Sequence, residues 1–436
     1  MLPDFAALNP GYELKLEQQM VPSSYTLPNP YSVGSTDYQA GINFERMRAE
    51  RLRKAQDALR RHDIAAALFV RHENIRYTVA VKGHAFCPQL SYALVFAEHD
   101  PILYELGDMV EHQKLYCPWL KPENIRFSYS WLDSICGPEG VSREAKRFAA
   151  AIAAELKNKG VRGERIGVDA LDEPGRAALR AEGIELVDAK PAIMEARRCK
   201  TPDELACIET AIAISNNGYA SFMNFKPGMR ERDGGAAMHE AMVRAGAEFA
   251  SGGVRSKLNT YDVYHHGNTD RIVDAGDLVV VNTCGTTFAG YRVCIYRSFI
   301  LGRKPNRKER DFYVRCRDRV YAIIDRMKPG ATTADAAKAL LPSNTWGYPD
   351  EQSLVVAEVG HGIGMTYEEP VISRIWSLDY PQVLEPGMVV AVECREGEWG
   401  YGGVRLEEMV LVTESGTRVL SNWPAEEIIP VANVYG

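Results

Sequence analysis

The chain has 436 residues, 46% hydrophobic and 25% charged, with nine cysteines and a net charge of −7. That length supports two or three folded units around a large core, and the acidic balance lacks the basic footprint that holds nucleic acid or an anionic membrane. No apolar run is long enough to cross a bilayer, and the odd, scattered cysteines without CxxC spacing suit free thiols in a reducing cytoplasm. The N-terminus carries acids and no apolar leader core, so a cytoplasmic location is expected.

Residues 1–40, rich in Pro, Tyr, Ser and Asn ("PSSYTLPNPYSVGSTDY"), show little periodicity and read as an extended arm. An α/β N-terminal domain is expected over 41–190. It opens with a helix in "NFERMRAERLRKAQDALRRHD", whose Phe44, Met47, Leu52, Ala55 and Leu59 share one face. Strands follow at "IAAALFV", "SYALVFA", "PILYEL" and "RIGVD", with a helix in "SREAKRFAAAIAAELKNKG" ended by its glycine.

A second domain is expected over 197–430. Thr201 caps its first helix, with Pro202 at the first helical position and Glu204 completing a capping box. The phrase helix, Lys-Pro-Gly, helix occurs at "NFKPGMRERDGGAAMHEAM" and again at "RMKPGATTADAAKALLP", which suggests a duplicated α+β body with its site at the join. Next, "VVVNTCGTTFAGYRVCIYRSFILG" alternates apolar residues about a glycine turn. It reads as a β-hairpin that directs Asn282, Cys284 and Cys294 to one place. Three further segments carry His361 ("GHGIG"), Glu393 ("AVECREGE") and Glu407 ("GGVRLEEMVLVT").

These motifs, in this order, resemble the pita-bread superfamily of methionine aminopeptidases, prolidases and creatinases (M24). The pattern is similar above all to metal-free creatinase and to the dimethylsulfoniopropionate lyase of the same fold. The resemblance implies an α+β pita-bread C-terminal domain behind a smaller α/β creatinase-like N-terminal domain. It also implies a homodimer in which one subunit's N-terminal domain covers its partner's site. Metal-using members hold two ions with two hairpin aspartates, a histidine and two glutamates. His361, Glu393 and Glu407 match the last three, whereas the aspartates fall at Cys294 and at Asn282, Thr283 or Cys284. Two divalent ions need several anionic oxygens, so a metal-free site is expected. The alternative is one zinc on Cys284, Cys294, His361 and Glu393; simple burial of the cysteines is the third reading.

Without a metal, hydrolysis needs a base, an acid and charge stabilisation. His265 and His266 in "NTYDVYHHGNTDRIVDAGD" stand where the resemblance places a catalytic histidine, and either suits the role. Glu393 would orient the substrate or neutralise a cationic group; as a structural carboxylate it would pair with Arg405 or Arg297. His361, Glu407, Tyr296, Cys294, Asn282, Tyr367 and Arg405 form the expected substrate-binding set. Tyr296 replaces a creatinase glutamate and Tyr367 replaces a metalloenzyme histidine, which argues against creatine itself. Aromatic residues at 261, 264, 288, 296, 367 and 376 would line the pocket. The reading is a metal-independent hydrolase of a C–N bond in a small polar substrate. A lyase expelling a β-leaving group, a non-catalytic binding module and an Xaa-Pro peptidase are the alternatives.

Overall fold

The computed structural model describes residues 41–82, 90–261, 268–353 and 359–431. The arm expected over 1–40 lies outside them, as do Tyr264, His265 and His266.

Apolar runs in the first half build one six-stranded sheet. Its strands are β1 (Ala66–Phe69), β2 (Tyr92–Phe96), β3 (Ile102–Glu105), β4 (Ile125–Phe127), β5 (Ile166–Val168) and β6 (Leu186–Asp188), in the order β4-β3-β2-β1-β5-β6. β1 and β2 are buried at every position, which is why they read as continuous hydrophobic stretches rather than alternating ones. The helices of this half are α1 (Phe44–Arg61), α2 (His72–Val79), α3 (Met109–Tyr116), α4 (Gly137–Asn158), α5 (Glu173–Ala181) and α6 (Lys190–Arg198). The inner face of α1 differs from expectation at one position. Leu52 is only half-buried and Arg51 is buried, because its guanidinium donates to the Tyr291 hydroxyl and the Arg76 carbonyl.

The second half opens with α7 (Pro202–Phe222), whose Thr201–Glu204 capping box forms as expected. Lys226-Pro227-Gly228 joins it to α8 (Glu231–Arg244). The echo of this unit is α9 (Arg307–Ile324), Lys328-Pro329-Gly330 and α10 (Thr333–Ala337). The second helix of the echo is only five residues long. Two sheets fill the body. The first orders β17 (Ile429–Val431), β11 (Tyr296–Leu301), β8 (Leu278–Asn282) and β7 (Gly253–Ser256). The second orders β13 (Tyr367–Ile372), β12 (Val359–Ile363), β14 (Val389–Glu398), β15 (Gly402–Val412) and β16 (Thr417–Val419).

The hairpin forms between β8 and β11, antiparallel, with Asn282 opposite Tyr296. Its tip is a smaller ribbon of β9 (Thr287–Phe288) and β10 (Tyr291–Arg292), closed by Ala289 and Gly290. Both turn residues have positive φ, 49° and 85°, as a two-residue type I′ turn requires. A side chain at 290 would collide with Arg76, whose guanidinium caps the tip and pairs with Glu248 at 2.6 and 2.8 Å.

A buried ion cluster ties the halves together. Glu368 of β13 receives Arg197 of α6 and Lys200, each at 2.6 Å, and the other arm of Arg197 donates to Asn74 of α2. Burial alone would raise the Glu368 pKa, but the charges of Lys200 and Arg197 outweigh it and hold the carboxyl below its usual range. Removing one member strands buried charge, so Glu368→Gln should lower unfolding stability by about 3–5 kcal/mol in urea titrations at pH 7. A depressed pKa contributes stability above the unfolded value and loses it on acidification. The gap between wild type and variant should therefore begin to narrow near the unfolded carboxyl value of about 4.3 and keep narrowing below it.

Candidate active site

Strand periodicity decides which side chains meet. On β14 and β15 alternate residues share a face, and the register sets Glu393 opposite Glu407 and Arg395 opposite Arg405. The other face, Val390, Val392, Cys394, Val404, Leu406 and Val410, packs in one core cluster with α9. All four charged residues of the polar face are buried. Two carboxylates directly across a strand pair repel each other, and cations answer them. Arg405 lies 3.8 Å from Glu393, and His361 of β12 lies 3.5 Å from Glu407. Arg297 turns the other way and pairs with Glu408 at 2.8 Å, so Arg405 is the cation of Glu393.

The Arg405 guanidinium stacks on the Tyr296 ring at 4.8 Å. None of its three nitrogens has a hydrogen-bond partner among the described residues, although the side chain is only 1% exposed. Glu393 is likewise short of partners at one oxygen. Burial raises the pKa of Glu393 and the facing Glu407 adds to this, while Arg405 and His361 oppose it. Arg255 of β7, a buried guanidinium, acts in the same sense as Arg405. The sequence carried no motif that would have singled it out. For His361, burial disfavours the charged form, but the contact with Glu407 overcomes it and the pKa is raised.

The hairpin closes the site from above. Cys284 and Cys294 face each other with sulfurs 2.6 Å apart, and the Cys284 sulfur lies 3.5 Å from Glu407. Asn282, the last residue of β8, lies over Gly253, where a Cβ would come within 2.4 Å of its amide nitrogen. Its side-chain oxygen accepts from the Cys284 N–H at 3.3 Å. Burial pushes the Cys284 thiol up to about 12, and the hydrogen bond with Cys284, followed by burial, raises Cys294 well above its ordinary value.

The donor atoms of Cys284, Cys294 and Glu407 lie within 4.8 Å of one another. This compact group differs from the set expected for zinc. Glu407 takes the place of Glu393, which the β14 register directs toward Arg405, and His361 joins through Glu407. Of the expected aromatic lining, Tyr367 meets the His361 ring edge-on at 4.5 Å and Tyr296 lies under Arg405. Tyr261 instead packs on Trp399 and Arg395, Phe288 belongs to the main core, and Trp376 is half exposed.

Thiolate is the reactive form of cysteine. At pH 8 iodoacetamide should therefore label the exposed Cys136 at least about tenfold faster than Cys284 or Cys294, read by peptide mass spectrometry.

The profile described as metallopeptidase family M24 matches residues 206–414. The uncharacterized peptidase YqhT of Bacillus subtilis is 31% identical over 255 residues, 56% of this chain and 68% of that protein. Creatinase of a Bacillus species is 27% identical over 391 residues, 83% of this chain and 87% of that enzyme. Among solved structures, dipeptidase PepE from Mycobacterium ulcerans superposes with a TM-score of 0.70 at 24% identity, covering 90% of this chain and all of that one. That likeness bears on the fold, a pita-bread body behind an α/β N-terminal unit.

Proposed function

The chain belongs to metallopeptidase family M24, and on that premise we propose that it hydrolyses a C–N bond, amide or amidine, in a small polar substrate. The observation that carries this reading is the pair of cysteine sulfurs, Cys284 and Cys294, set against Glu407 on the ribbon. A pair of hard divalent ions needs a ring of anionic oxygens. Here the hairpin supplies sulfur, and the Glu393 carboxylate is engaged by Arg405. The residues do not fit two such ions, which disfavours a dinuclear Xaa-Pro peptidase. The similarity to creatinase runs through both halves of the chain, whereas that to YqhT covers 56% of it.

In this reading the buried Arg405, stacked on Tyr296 and without hydrogen-bond partners among the described residues, receives an anionic group of the substrate, and Glu393 receives a cationic or N–H-bearing one. His361, whose pKa Glu407 raises, donates a hydrogen bond to negative charge that develops at the scissile carbon's oxygen or nitrogen. The proton taken from water goes to His265 or His266, the proposed bases, and is returned to the leaving nitrogen as the C–N bond breaks.

Purified protein should release amine, urea or ammonia from at least one substrate in a panel of amidino and N-acyl amino acids, with no stimulation by added Mn²⁺ or Co²⁺. Replacing the base, His265→Ala or His266→Ala, should lower kcat by about 100-fold or more. Cleavage of Xaa-Pro dipeptides that depends on added Mn²⁺ would overturn the reading. An elimination product formed without consumption of water would move it to a lyase.

A further inference from the structure

From the side chains gathered under the hairpin, we infer that Cys284, Cys294 and Glu407 form a binding site for a single soft divalent cation of the zinc class. The site differs in kind from a pair of hard ions; it shares Glu407 and His361 with the substrate reading above, and its test reads ion binding and no turnover.

Three observations converge on it. Two sulfurs and a carboxylate oxygen from two different parts of the fold lie within 4.8 Å of one another. Glu407 is fully buried, and its second oxygen has no hydrogen bond among the described residues; the nearest donor is His361, at 3.5 Å. His361 therefore stands next to the group as a fourth donor, a ring nitrogen. Two sulfurs with nitrogen and oxygen donors select zinc-like ions over manganese, magnesium or calcium, which prefer all-oxygen shells.

The thiols at 2.6 Å are closer than two ligands of one ion can be. Two bonds of about 2.3 Å at a tetrahedral angle set the sulfurs about 3.8 Å apart, so occupancy spreads them by roughly 1 Å through rotation about their side-chain bonds. Zinc-class ions bind cysteine as thiolate, so binding releases the thiol protons and affinity rises with pH.

The test uses the full chain, reduced, chelator-treated and desalted, with no substrate present. One equivalent of Zn²⁺ should remain per chain after a second desalting. Co²⁺ should produce the near-ultraviolet charge-transfer absorption of cobalt–thiolate bonds. Cys284→Ser and Cys294→Ser should each weaken Zn²⁺ binding at least 100-fold and diminish the cobalt band, whereas Cys136→Ser should change neither. The cobalt spectrum of the unaltered chain keeps the test decisive if a variant fails to fold. Three results would each overturn the inference: no retained ion, a cobalt spectrum without the thiolate band, or a Cys284–Cys294 disulfide that survives treatment with excess reductant. Because no turnover is read, failure here leaves the hydrolase reading standing, and failure of that reading leaves this one standing.

Discussion

Glu393 faces Glu407 across two hydrogen-bonded strands, in a place where water cannot screen them. Everything around the site answers that confrontation. Arg405 is drawn to one carboxylate and His361 to the other, and Tyr296 supports the arginine from beneath. The sulfurs of the hairpin bring no further negative charge while they keep their protons. Had the ribbon carried two more carboxylates, four acids would share one buried space and only bound cations could hold them there. Replacing acid by thiol lowers that demand and changes which cations are welcome.

The same replacement separates fold from chemistry. The strand pairings that build the body need only apolar alternation and short turns, and these persist whatever the ribbon carries. Kinship with family M24 therefore fixes the framework, while the reacting groups have to be argued from the side chains of this chain.

Much of the framework was legible in the sequence because it rests on local signals. β1 and β2 are contiguous apolar runs, and α7 announces itself through Thr201, Pro202 and Glu204. His361, Glu393 and Glu407 could be read from motif order. Other features depended on contacts that no local pattern encodes. Glu407 and Glu408 are adjacent in "RLEEM", yet strand parity sends one into the site and the other to Arg297. Whether Asn282, Thr283 or Cys284 meets Cys294 was a one-residue question of register, and the backbone bonds of the ribbon answer it in favour of Cys284. The Lys-Pro-Gly echo was real, but the five-residue α10 shows that a repeated turn does not guarantee a repeated helix. The inward-facing Arg51 was hidden because its partners, Tyr291 and the Arg76 carbonyl, are distant in sequence or belong to the backbone.

The tip of the hairpin carries a last lesson. Arg76, on a helix of the first half, closes over Gly290 and neutralises Glu248 of the second. A fragment beginning at α7 would expose that tip and leave an acid without its counter-ion. The front half is thus no detachable accessory. It is a clamp on the ribbon, and exchanging it for the corresponding piece of a relative would require transplanting the clamp's contacts as well.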